Sequence, residues 1–146
     1  MKTRTKILVL AGLASIAAPL AAQADIVAGR ISAYRELGAA YKNVNDQLRS
    51  GNPNAYIIQV SAREIRKVAR DQYNYFPAGA TGGKSKALPA IWQKPALFKQ
   101  RQDAFKAEAE RFYAAARAGD TSKIKAASRK LGATCKACHN QFRKED

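Results

Sequence analysis

From Val27 onward, apolar residues return every three or four positions: Val27, Ile31, Tyr34, Leu37, Gly38, Tyr41, Val44 and Leu48. That spacing lines one face of an α-helix and predicts an amphipathic helix ending near Ser50 and Gly51. Asn52, Pro53 and Asn54 break the pattern, and a second helix is predicted from about Ala55 to Tyr75, with Ile57, Ile58, Val60, Ile65, Val68 and Ala69 as its apolar positions. Residues 76–92, FPAGATGGKSKALPAIW, hold two prolines and three glycines without periodicity, so they form the one long connection. Pro95 suits a first helical turn, and Phe98, Phe105 and Phe112, with Leu97, Ala109 and Ala116, mark a third helix stopped by Gly119. Asp120 is a natural N-cap for a fourth, on which Ile124, Ala127, Leu131, Cys135, Cys138 and Phe142 step by three and four. No strand-like alternation, internal repeat or low-complexity tract occurs. Four such helices, with short first and third connections, predict an all-α fold: an antiparallel four-helix bundle in one domain.

The start of the chain changes this picture. Lys2, Arg4 and Lys6 precede an apolar stretch from Ile7 to about Leu20, followed by the small-residue site Ala22-Gln23-Ala24. This is the pattern of a cleaved secretory signal peptide over residues 1–24, with a mature domain at 25–146. The apolar run is short for a bilayer span of about 20 residues, so no membrane span is expected and the protein is predicted to be periplasmic. Loss of three cations lowers the formal charge from +15 to +12. The basic residues alternate with Ala, Gln, Asp and Glu, as in Phe98-Lys99-Gln100-Arg101-Gln102-Asp103, which describes a solvated positive face and not a nucleic-acid site. Such a surface speeds encounter with an acidic partner protein.

Chemistry is concentrated in CKACH. Cys135 and Cys138 are the only cysteines and His139 the only histidine, and on a helix the three project within one broad face. A thioredoxin-like pair wants a strand before the motif and a helix N-terminus beneath it. A structural zinc site wants four ligands. A Cys135–Cys138 disulfide closes too small a loop to stabilise much and leaves His139 unexplained. The remaining reading is C-x-x-C-H, the attachment signature of c-type haem, with the histidine as axial ligand. The only methionine is Met1, so neither His/Met nor His/His ligation is available in the mature monomer. The sixth position is then empty, filled from outside, or taken by a residue such as Tyr or Lys. No free nucleophile stands with a base, so no catalytic residues and no enzymatic activity are predicted.

With these residues placed, the sequence resembles the cytochrome c′ family over essentially the whole mature chain. The shared features are CKACH, Arg143 in CHNQFRK, the spacing RxxxYxxLG over 30–38, the run LPAIWQKPALFKQRQDAF, and AGD before the last helix. The resemblance implies a covalently attached haem c, with Cys135 and Cys138 as thioether anchors and His139 as proximal ligand to iron. It further implies Arg143 beside that histidine on the same helical face, Arg30 near a haem propionate, and Tyr34 covering the vacant distal face, where low-spin relatives carry a ligating methionine. The implied function is a five-coordinate, high-spin haem protein that binds diatomic gases such as nitric oxide and carbon monoxide, carries electrons, or both. Family members are often homodimers through the first two helices, to which Tyr56, Ile57 and Val60 would contribute. Trp92 is expected in the core, and Tyr41, Tyr73 and Tyr75 have no assigned role.

Overall fold

The computed structural model describes the backbone of residues 17–145 and the side chains of residues 22–145. The predicted signal peptide lies outside the described residues as far as position 16, and the backbone is already helical from Ala17. Helix α1 spans Ala17–Arg49, α2 Ala55–Asp71, α3 Ala90–Gln93, α4 Pro95–Ala118 and α5 Thr121–Phe142. The predicted second helix is therefore shorter than expected: it gives way to a 3-10 turn over Gln72–Asn74. The connection predicted to be aperiodic contains the single helical turn α3, whose four residues are too few for periodicity to show.

Local chemistry sets these ends. The Asn54 side chain accepts from the Ile57 amide and caps α2, and Asp120 does the same for the Lys123 amide at the start of α5. Each such cap stabilises its helix by about 1 kcal/mol. Pro95 opens α4, and Gly119 closes it with φ at +78°, a left-handed conformation that only glycine adopts without strain.

Contacts between helices fix the antiparallel order. Arg66 and Arg70 of α2 both reach Glu110 of α4 at 2.7 Å, while Tyr73 reaches Asp103 and Gln72 bonds Gln102, so rising positions on α2 meet falling positions on α4. Across the other seam the Tyr41 hydroxyl of α1 donates to the Ser128 carbonyl of α5 at 3.0 Å. The main core is built from the predicted stripes, with Val44, Ile58, Ala62, Ile65, Val68, Ala109, Phe112 and Leu131 almost wholly enclosed. A smaller cluster of Ile91, Phe98 and Phe142, covered by Phe76, Trp92, Leu97 and Cys138, closes one end of the bundle beneath the long connection. Trp92 is half-buried there, its indole N–H donating to the Pro77 carbonyl at 3.0 Å.

Candidate haem site

The last two turns of α5 carry the motif to the junction of the two clusters. Cys135 packs against the main core and Cys138 against the smaller one, both half-buried and both free thiols. His139, one position on, faces outward into a cleft of about 730 Å³ shared with Leu88, Lys136, Asn140, Arg143, Lys144 and Glu145.

Electrostatics separate this pair from reactive thiols. Burial, aided by the neighbouring Cys138, pushes the Cys135 thiol up to about 11, and burial also raises Cys138 despite the nearby Arg101. A redox or nucleophilic cysteine needs the opposite shift, and the motif sits at the C-terminal end of its helix, where no dipole helps a thiolate. Among the described residues no three His, Cys, Asp or Glu side chains form a metal-holding cluster. The His139 imidazole is held below its usual value by partial burial and by the Arg143 charge, so its ring is neutral at pH 7 and has a lone pair to donate.

Arg143 departs from the position expected for it. Helix α5 ends at Phe142, and Arg143 is its C-cap, in extended backbone at φ −121° and ψ 133°, with its amide donating to the His139 carbonyl. It lies past the helical face and still lines the cleft with His139.

Tyr34 reaches the cysteines from α1. Burial is the chief cause of the raised pKa of its phenol, and Cys138, Tyr75 and Cys135 add to it, which places the neutral hydroxyl near the two thiols. Its ring meets Tyr75 and Phe76 edge-on, at centroid distances of 6.2 and 6.0 Å. From Phe76 the edge-on series continues through Phe98 at 4.8 Å to Phe142 at 5.1 Å. Phe76 escapes sequence reading because it lies in the aperiodic connection; only its place beside Tyr75 hints at an aromatic cluster.

Arg30, one turn before Tyr34, is 4% exposed, so it is not an ordinary surface cation. Its guanidinium donates to the Tyr75 carbonyl at 2.9 Å, the Ala80 carbonyl at 3.1 Å and Ser85 Oγ at 2.8 Å, and lies 4.8 Å from the Phe76 ring centroid. No carboxylate among the described residues pairs with it, and of the five guanidinium N–H donors these bonds leave Nε and one on Nη1 uncommitted. A buried cation with spare donors fits an anionic ligand group. Together, two unreactive thiols, an adjacent neutral imidazole and this guanidinium match a cofactor that offers two attachment points, a metal and a carboxylate.

Comparison with known proteins agrees. Residues 25–143 match the family model described as Cytochrome C′. Cytochrome c′ of Alcaligenes xylosoxydans xylosoxydans is 34% identical over 122 residues, covering 83% of this chain and 94% of the relative. Cytochrome c′ of Rhodopseudomonas palustris is 31% identical over 144 residues, covering 96% of this chain and 97% of the relative. Among solved structures, the nitric oxide complex of a mutant of cytochrome c prime from Alcaligenes xylosoxidans superposes with a TM-score of 0.78 at 33% identity, over 85% of this chain and 97% of that one. Cytochrome c′ from Thermochromatium tepidum gives a TM-score of 0.80 at 21% identity, over 84% and 97%, a likeness of fold. The chain belongs to the cytochrome c′ family, with a four-helix-bundle fold and covalently attached haem c as its cofactor.

Proposed function

We propose that this protein is an exported haem carrier with five-coordinate, high-spin iron that binds diatomic gases. Cys135 and Cys138 hold the haem through thioethers, His139 supplies the proximal nitrogen, Arg143 sits beside that histidine, and the two uncommitted Arg30 donors take a propionate. When bound, the haem supplies an open coordination position at which nitric oxide or carbon monoxide is held. The observation that carries this reading is what α1 presents to the cysteine pair: Tyr34, a neutral phenol fixed by Tyr75 and Phe76. The mature chain contains no methionine and no second histidine to take that position. The nitric oxide complex of a mutant of the Alcaligenes protein, at 33% identity, supports the ligand class. In this reading these residues bind, orient and shield the haem. Residues 1–24 act as the signal peptide and 25–146 as the mature domain, and the start of the family match at residue 25 supports that boundary. No helix among the described residues is long and apolar enough to cross a membrane. Optical and EPR spectra of the purified holoprotein test the reading: a ferrous high-spin, five-coordinate spectrum is expected at neutral pH, and a low-spin six-coordinate one refutes it.

A second reading is electron exchange with an acidic redox protein. It is favoured by the mature charge of +12 and by the cations Lys136, Arg143 and Lys144 that line the cleft beside His139. Complementary charge predicts reduction rates that fall with added salt; stopped-flow rates flat across a salt series count against docking there. Tyr56 and Val60, 74% and 41% exposed on α2, support a homodimer through the first two helices, which sedimentation of the Tyr56→Glu variant would test.

A further inference from the structure

The connection between α2 and α3 is tied to two distant helices through one hydroxyl. Ser85 Oγ accepts from Arg30 Nη2 on α1 at 2.8 Å and from the Ala87 amide at 3.1 Å. Just beyond it, the chain pairs with the segment leaving α5: Ala87 bridges Arg143, the Leu88 amide donates to the Phe142 carbonyl at 3.0 Å, and the Lys144 amide donates to the Lys86 carbonyl at 2.8 Å. On the other side, Arg30 also holds the carbonyls of Tyr75 and Ala80. Phe76 lies between those two anchors, under the guanidinium and edge-on to Tyr34. The turn bonds Ala80 to Pro77, Thr81 to Gly79 and Ser85 to Gly82 close within the connection and do not reach the helices. Ser85 thus joins the helix that carries Tyr34 to the end of the helix that carries His139.

We propose that Ser85 is a positioning residue for ligand access: through Arg30 it holds the connection closed and keeps Phe76 packed against Tyr34, and so sets how fast a diatomic ligand reaches the face that Tyr34 covers. This rests on the distal role proposed for Tyr34. The hydroxyl matters out of proportion to its size. Its loss leaves one N–H of a buried guanidinium without an acceptor, and a bond to a charged donor is stronger than a neutral one. In Ser85→Ala water can reach this part-buried position and satisfy Arg30, but it no longer ties the connection to α1, which is then free to open. As it opens, Phe76 leaves the Tyr34 ring, and the obstacle to an incoming ligand shrinks to the phenol alone.

The test uses the holoprotein and two variants. In Ser85→Ala, amide exchange at Leu88 and Lys144 should accelerate about tenfold, and carbon monoxide association with the ferrous protein should accelerate by the same order; one decade corresponds to 1.4 kcal/mol. Ser85→Thr keeps the hydroxyl and should return both rates to wild-type values. A residue that only stabilised the fold would move exchange without moving the ligand rate, so faster exchange with unchanged carbon monoxide association overturns the proposal. Unchanged exchange overturns it equally, as does failure of Ser85→Thr to restore the ligand rate. A low-spin six-coordinate wild-type spectrum removes the distal reading and this proposal with it, whereas a high-spin spectrum with an unaltered ligand rate in Ser85→Ala removes this proposal alone.

Discussion

Gly132 lies one turn before Cys135, and a side chain there meets Tyr41 of α1. A Cβ built on Gly132 falls 2.3 Å from the Tyr41 hydroxyl oxygen and 3.3 Å from Cζ. In an open helix, glycine to alanine adds up to about 1 kcal/mol of stability. Here the phenol must swing away, losing its 3.0 Å bond to the Ser128 carbonyl, at about 1 kcal/mol. The overpacked seam adds roughly 1–3 kcal/mol. The clash outweighs the propensity gain, and Gly132→Ala should destabilise by about 1–3 kcal/mol, lowering the thermal midpoint by roughly 4–12 °C for a domain of this size.

The Tyr41→Phe background isolates the cause. Without the hydroxyl, the nearest atom to the new methyl is the ring carbon at 3.3 Å, a tight approach that a few tenths of an ångström relieve. Gly132→Ala in that background should be neutral or stabilising, so the double variant should exceed the additive expectation by at least about 1 kcal/mol. Circular-dichroism melts and urea titrations of the four proteins give the cycle. An alanine that stabilises the wild-type background, or costs the same in both, refutes the steric account. The seam matters for function because Tyr41 lies two turns beyond Tyr34, so its contact with Gly132 sets how closely α1 approaches the cysteines.

Tyr34→Ala should tighten carbon monoxide binding at least tenfold by removing the ring over the site, while lowering the thermal midpoint by less than a fully buried aromatic's loss of about 3–5 kcal/mol implies, since Tyr34 is half-buried; a lower midpoint with unchanged affinity shows that Tyr34 is packing alone. Asp120→Ala removes the acceptor for the Lys123 amide and should cost about 1 kcal/mol in urea titrations, with Asp120→Asn recovering most of it. For Glu110, partial burial pushes the carboxyl up, but hydrogen bonds from Arg70 and Arg66 outweigh it and hold the group below its ordinary value. A depressed folded pKa gives stability that is present above the unfolded value of about 4.3 and lost as pH falls through the folded one. Glu110→Gln should therefore lower the midpoint at pH 7, with the difference from wild type closing in the acid limb; a constant difference from pH 7 to pH 3 contradicts the linkage.

The helices were legible because their signals are local. A stripe such as Leu37, Tyr41, Val44 and Leu48 needs only its own spacing to announce a buried face, and Asn54, Pro95, Gly119 and Asp120 act on the backbone within one turn. CKACH was legible for the same reason, since both thiols and the imidazole fall within five residues. Neither signal names a partner. Periodicity put Tyr41 on the stripe without showing that it ends on Gly132 and Ser128, and it gave no reason for Gln72 and Gln102 to be buried, where their side-chain amides cross-bond the opposing carbonyls.

Arg30 shows what lies beyond such reading. Its three acceptors are 45 to 55 residues away, and two are backbone carbonyls, which carry no residue identity for a pattern to detect. The structure resolves part of what holds it: neutral dipoles and the face of Phe76 replace the water stripped from the guanidinium. They do not neutralise it, and a buried charge without a counter-charge is costly. An anionic group that reached the unused donors of this guanidinium would therefore have much to gain. In the proposed holoprotein that anion is a haem propionate.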